Sequence, residues 1–129
     1  MTGADPVDHA LAQVRAAALA LPETSERLSH GAPTFFIRDR TSFVMFHDDH
    51  HGDGRLAIWC AAPSGVQGLV VDEDPRRFFV PPYVGHRGWL GLRLDTDVDF
   101  DEVHAVIEDA YRSVAPKRLL AQLETTDPT

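Results

Sequence analysis

Between His47 and Asp53 the chain reads HDDHHGD, and three imidazoles and three carboxylates in seven positions are the donors a zinc or other divalent ion uses. The order matches neither a helical i, i+4 histidine pair nor a calcium loop. Neighbouring residues in a hairpin point in different directions, so few of His47, Asp48, Asp49, His50, His51 and Asp53 converge on one ion. A solvated turn is the simpler reading, and no metal site is assigned. Cys60, in AIWCAA, falls in an inward register where cysteine acts as small core filler rather than as a nucleophile. Ser64 lacks the flanking glycines of a nucleophile elbow and reads as a helix start. The Gly-flanked His86-Arg87 pair offers exposed donors but has neither P-loop nor dinucleotide-binding context. His104 sits beside the apolar stripe of a helix. No catalytic set emerges, and no motif implies a cofactor.

The other chemically loaded stretch is RRFFVPPYVGHRGWLGLRLD, Arg76 to Asp95. Its arginines, aromatic rings and paired prolines suit a rigid rim that binds rather than reacts. Pro81-Pro82 limits chain freedom, and Gly85 and Gly88 permit a tight connection into the strand that carries Trp89 and Arg93.

The elements that must position these residues follow from periodicity and punctuation. Asp5 as N-cap, Pro6 at the first helical position and Val7, Leu11, Val14 and Ala18 predict an amphipathic helix ending near Leu21-Pro22. ETSERLSHGAP is polar and Gly/Pro-punctuated, which predicts a loop. TFFIRDRTSFVMFHDD and RLAIWCAA supply three strands, with turns at Asp39-Arg40 and in the histidine run. SGVQGLVVDED predicts a short helix weakened by Gly65 and Gly68, and RRFFVP and GWLGLRL two further strands. The last main helix starts with Asp99 as N-cap and Glu102 at the capping-box position, and Phe100, Val103, Ile107, Tyr111 and Val114 form its stripe. A short extension with helical potential follows Pro116. The expected architecture is α+β: a two-layer, mainly antiparallel five-stranded sheet with helices on one face, in the order α-β-β-β-α-β-β-α. Residues 1-129 read as one domain with frayed ends at 1-5 and 124-129.

Strand parity then separates two faces. Leu90, Leu92 and Leu94 point to the helices, as do Leu56, Ile58 and Cys60; Trp89, Gly91 and Arg93, with Ala57, Trp59 and Ala61, point away. Both tryptophans are therefore expected on an open sheet face, where a ring beside a guanidinium makes a stacking floor for a flat ligand or a base. The alternative is that these rings simply cover the sheet.

Composition bounds the function classes. A chain of 129 residues can bury its own core, and a formal charge of −8 repels phosphate at long range. Nucleic-acid binding would need a local basic patch. One cysteine excludes an internal disulfide framework, no apolar run approaches the roughly 20 residues of a membrane span, and the first residues lack a signal-peptide pattern. A cytoplasmic location is expected.

LALPETSE, RLAIWC, DPRRFFVPPYVGHRGWLGLRLD and DEVHAVIEDAYRSV together resemble the MmcQ/YjbR family, over about Leu11 to Leu123. The most specific parts are Trp89 with its alternating strand and the acidic start of the last main helix. The resemblance implies a compact two-layer fold like that of secretion chaperones and CyaY-like proteins, and a DNA-binding role drawn from a proposed double-wing arrangement. Where many members carry an Asn-Lys pair before the tryptophan, Gly85 and His86 stand here; a histidine in place of a fixed charge weakens a phosphate contact.

The reading that results is a non-catalytic binding domain whose site comprises Trp59, Trp89 and Arg93, with Arg76, Arg77, His86 and Arg87 as donors. The ligand is a small planar or anionic molecule or a protein partner. DNA is the alternative, and a metal-dependent enzyme using the histidine turn a distant third. No membrane partner is expected, and both monomer and homodimer are open. Adding zinc should leave the melting temperature unchanged; stoichiometric zinc in purified protein, lost on His50→Ala with His51→Ala, would contradict the solvated-turn reading.

Overall fold

A computed structural model describes residues 5–126. Asp5 caps the first helix α1 (Pro6–Leu19): its carboxylate accepts from the Val7 amide at 2.8 Å, with Pro6 at the position where a missing N–H costs nothing. Five strands were expected and six are present, as β1 (Thr24–Ser29), β2 (Ala32–Ile37), β3 (Thr41–Asp48), β4 (Leu56–Cys60), β5 (Phe78–Phe79) and β6 (Leu90–Arg93). All pair antiparallel in the order β1-β2-β3-β4-β6-β5. Three more helices complete the described residues: α2 (Val66–Glu73), α3 (Phe100–Val114) and α4 (Lys117–Thr126).

The added strand is β1, in the stretch read as a loop. As an edge strand it needs no apolar alternation, because half of its surface faces water. Its turn signal is His30-Gly31, both at positive φ, as a two-residue hairpin of the tight primed type requires. The next turn lies at Arg38-Asp39, one residue earlier than expected and again at positive φ. A bulge between Phe35 and Phe36 shifts the β2–β3 register, so Phe43 and Val44 are both fully buried and the Phe43 ring meets Tyr111 edge-on at 5.6 Å. Within the ends expected to fray, 1-5 and 124-129, Asp5 caps α1 and α4 runs to Thr126, while residues 1–4 and 127–129 lie outside the described ones.

The core lies between the sheet and the helices. Ala10, Val14 and Ala18 form the inner line of α1, so its small residues let the helix approach closely, whereas Val7 and Leu11 are only partly buried. Val103, Ile107, Ala110 and Tyr111 line α3, and Leu119 of α4 joins them. Ile58, Leu90, Leu92 and Leu94 face this layer as parity required, Leu92 at 2% exposure. Tyr111 donates to the Pro22 carbonyl at 2.8 Å and ties α3 to the chain leaving α1. The capping box is only half formed: Asp99 accepts from the Asp101 amide, but Glu102 turns to Arg77 instead of to the Asp99 amide.

On the opposite face Gly91 stands between Trp59 and Phe79 in one cross-strand row. The Phe79 ring lies over it; a Cβ at Gly91 would stand 2.5 Å from two ring carbons. Gly91→Ala should cost about 1–3 kcal/mol in denaturant unfolding, and clearly less in a Phe79→Ala background where the ring is gone. Equal costs in both backgrounds would mean that the ring does not fill this space.

Candidate functional site

Among the described residues the helices form one layer, so the second sheet face must be covered by other means. Pro81 to Gly88 crosses it as a strap, with buried Pro81 and Val84, a 3-10 turn at Gly85–Arg87 and Tyr83 left 71% exposed. Gln67 of α2 holds the strap, its amide donating to the Gly85 and Trp89 carbonyls at 2.8 and 2.6 Å. The second cover is the loop after β3. Asp49 and His51 take positive φ about a 3-10 turn at His50–Gly52, and the Asp49 carboxylate accepts from the Gly54 amide at 2.7 Å.

The two tryptophans lie on the predicted face but are not the open floor expected of them. Trp59 and Trp89 are each 3% exposed. The His47 ring lies 3.7 Å from Trp59, tilted by 34°, and the His50 ring packs edge-on at 4.7 Å. Arg87 lies over Trp89 at 5.0 Å. The same device recurs across the face, with Arg27 over Phe36 at 3.7 Å and Arg55 over Phe79 at 4.2 Å. Each such contact contributes roughly 0.5–1 kcal/mol at an exposed site, so these guanidinium groups act first as covers.

The seven residues expected to form one site therefore separate. Arg76, Arg77 and Arg93 share a shallow concavity with Asp74, Thr96 and Asp97 at the β5–β6 corner. Arg77 is held there by Asp74 and Glu102, and Arg93 by both oxygens of Asp95 at 2.9 and 3.0 Å. These bonds raise the pKa of both guanidinium groups and lower those of Asp74 and Asp95. Arg76, His86 and Arg87 are exposed. The display of Trp89 and Arg93 as a bare pair is also interrupted, because Phe79 covers the Gly91 between them.

What the fold does assemble is a groove of about 510 Å³ between strap and histidine loop, lined by Ser29, His30, Met45, His47, His50, His51, Trp59, Tyr83 and Val84. Its size falls within the roughly 300–1,000 Å³ of small-molecule sites. None of these side chains is an arginine, lysine or carboxylate. Burial, and next the neighbouring His50, push His47 down to about 4, and burial and His51 lower His50, so both stay neutral at neutral pH. Trp59 Nε1 and His47 Nε2 are buried here without a hydrogen-bond partner. An unsatisfied buried polar atom costs on the order of 1–3 kcal/mol.

Tyr83 and Met45 were missing from the predicted set. Met45 was legible as the cross-strand partner of Trp59, whereas Tyr83 depends on the course of the strap. Among the described residues no three His, Cys, Asp or Glu side chains are placed to hold a metal ion. Cys60 is fully buried, and burial with the nearby Asp109 pushes its thiol up to about 12, far from nucleophile range.

An antiparallel α+β domain with a groove on its helix-free face is the class that fold and site define. The YjbR family model matches residues 19–113, most of the chain, and the protein belongs to that family. The crystal structure of Deinococcus radiodurans protein DR2400, which carries a DUF419 domain, superposes with a TM-score of 0.69 at 11% identity over 88% of this chain and 87% of that one, a likeness of fold. No curated protein matches.

The buried imidazole gives a pH signature. The folded pKa of His47 lies below the 6.5 of the free group, so as pH falls from 6.5 towards 4 the unfolded chain takes up a proton that the folded one refuses. His47→Phe keeps a ring against Trp59 without the titration. The stability of the native chain relative to this variant should fall by on the order of 1–2 kcal/mol between pH 7 and 4.5, allowing for partial exposure. A difference flat with pH would contradict the burial of a neutral His47.

Proposed function

We propose that the protein is a non-catalytic binding domain and that its ligand is a planar molecule with uncharged faces, seated in the groove beside Trp59 and Tyr83. The observation that carries this reading is a groove lining without an arginine, lysine or carboxylate side chain in a chain in which 25% of residues are of those types. Aromatic walls reward stacking and apolar burial, and the exposed Tyr83 is a ring that a bound ligand would cover. This moves the site from the arginine rim to the strap and the histidine loop.

DNA binding is the less favoured reading. Arg77 and Arg93 are already paired with carboxylates, and the net charge of −8 opposes a polyanion. Of the arginines expected at the site, this leaves Arg76 and Arg87 to meet phosphate, and Arg87 already lies over Trp89. The reading includes a cytoplasmic location, supported by a lone, buried, reduced cysteine. Among the described residues no helix is long and apolar enough to cross a membrane.

Thermal-shift and tryptophan-fluorescence titrations at 50 and 500 mM salt separate the readings. Planar aromatic compounds should raise the melting temperature equally at both salts, and Met45→Glu should abolish the shift without unfolding the protein, because Met45 is only half-buried. Duplex DNA should bind no tighter than about 10⁻⁴ to 10⁻⁶ M near physiological salt. Nanomolar DNA binding that falls steeply with salt and is lost on Arg76→Ala with Arg87→Ala would replace this proposal.

A further inference from the structure

A cavity on the helix side of the sheet has a different chemistry from the groove. It measures about 340 Å³ and lies between α2, α3, the end of β4 and the strands β5 and β6. That is the lower end of the roughly 300–1,000 Å³ of small-molecule sites, room for a compact body rather than for a helix about 10–12 Å across. Two helical spacings build its walls. Val66, Val70, Glu73 and Asp74 follow one another at i, i+4, i+7 and i+8 along α2 and its end, and Glu102, Val106 and Asp109 at i, i+4 and i+7 along α3. Each helix therefore offers valine to the cavity with carboxylates one turn away. The half-buried Val66, Val70 and Val106 are the walls, and the buried Phe78 and Leu90 close the floor. Because α2 buries no residue fully, its valines keep apolar surface that a ligand can cover.

The charges around this apolar space are unbalanced. Glu73, Asp74, Glu102 and Asp109 stand against a single guanidinium, that of Arg77. Arg77 is already committed to Asp74, at 2.6 Å, and to Glu102. Glu73 and Asp109 are exposed, and among the described residues neither carboxylate has an ion-pair or hydrogen-bond partner. Burial first and Asp109 second raise the Cys60 thiol at the end of β4, so the field of this carboxylate reaches inward as well as out into water.

We propose that this cavity is a second binding site, separate from the groove over Trp59, and that it takes a small primary amine with a compact aliphatic body. The body lies against Val66, Val70 and Val106, and the ammonium donates to the Glu73 and Asp109 carboxylates at the mouth. An inorganic cation would leave the valines wet, and a neutral apolar molecule would leave the carboxylates unused. An aliphatic amine answers both halves of the lining.

The test is titration of the full chain with cyclohexylmethylammonium, read by calorimetry and by nuclear magnetic resonance of the valine methyl groups, beside neutral cyclohexylmethanol and anionic cyclohexanecarboxylate. None of the three is a planar aromatic, so the outcome is independent of the reading of the groove. The expected result is saturable one-to-one binding of the amine, with shifts at Val66, Val70 and Val106, about ten-fold tighter than the alcohol and weakened several-fold between 50 and 500 mM salt, and no binding of the carboxylate. Glu73→Gln with Asp109→Asn should bring the amine down to the affinity of the alcohol, and Val106→Phe, which fills the cavity from its wall, should abolish binding of both, circular dichroism confirming the fold of each variant. No saturable binding of the amine, equal affinity for amine and alcohol, or unchanged amine binding in the double variant overturns the proposal. Tighter binding of a tetralysine peptide than of the amine overturns the small-amine assignment and makes this surface an interface for a basic protein.

Discussion

A sheet with helices on one face only must keep water from the aromatic rings on the other, and most of what is distinctive in this protein follows from that constraint. Trp59, Phe79 and Trp89 lie on the helix-free face, and Gly91 is there because the Phe79 ring occupies the space a side chain would need. The covers are cations, imidazoles and a strap rather than a second helix layer. A stacked guanidinium or a neutral imidazole shields a ring on one side and remains hydrated on the other, so the face is closed without becoming a large exposed apolar patch. Where strap and histidine loop fail to meet, the groove remains.

The same constraint reassigns the arginines. Read along the chain, Arg76, Arg77, Arg87 and Arg93 look like one donor set; in space Arg77 bridges Asp74 and Glu102, Arg93 grips Asp95, and Arg87 rests on Trp89. The bridge through Arg77 links the turn before β5 to the first turn of α3, which is why Glu102 leaves its capping role. Gln67 plays the matching part on the other side, tying α2, which buries no residue fully, to the strap that walls the groove.

The core was legible in the sequence because two periodicities agreed on it. The alternation in GWLGLRL put Leu90, Leu92 and Leu94 on the helix side, and the Val103–Ile107–Tyr111 spacing put the inner line of α3 against them. Asp5 and Asp99 as caps were legible for the same local reason. The edge strand β1 was not, because an edge that is half wet carries no alternation, and its His30-Gly31 turn is an unusual pair for the tight hairpin it makes. The site was half legible: parity placed Trp59 on the correct face, and the histidine run was singled out as solvated. Strand parity says nothing of what lies above a face, so neither the covering of Trp59 by His47 and His50 nor the arrival of Tyr83 by way of the strap followed from local pattern.

The central claim is that the working surface is the groove beside Trp59, lined without arginine, lysine or carboxylate. Nuclear magnetic resonance of the labelled chain during titration with a small planar aromatic tests it most directly. The account predicts that the largest shifts fall on the Trp59 indole N–H, the Met45 methyl and the Tyr83 ring. Shifts confined to Arg76, Arg87 and Arg93 would contradict it.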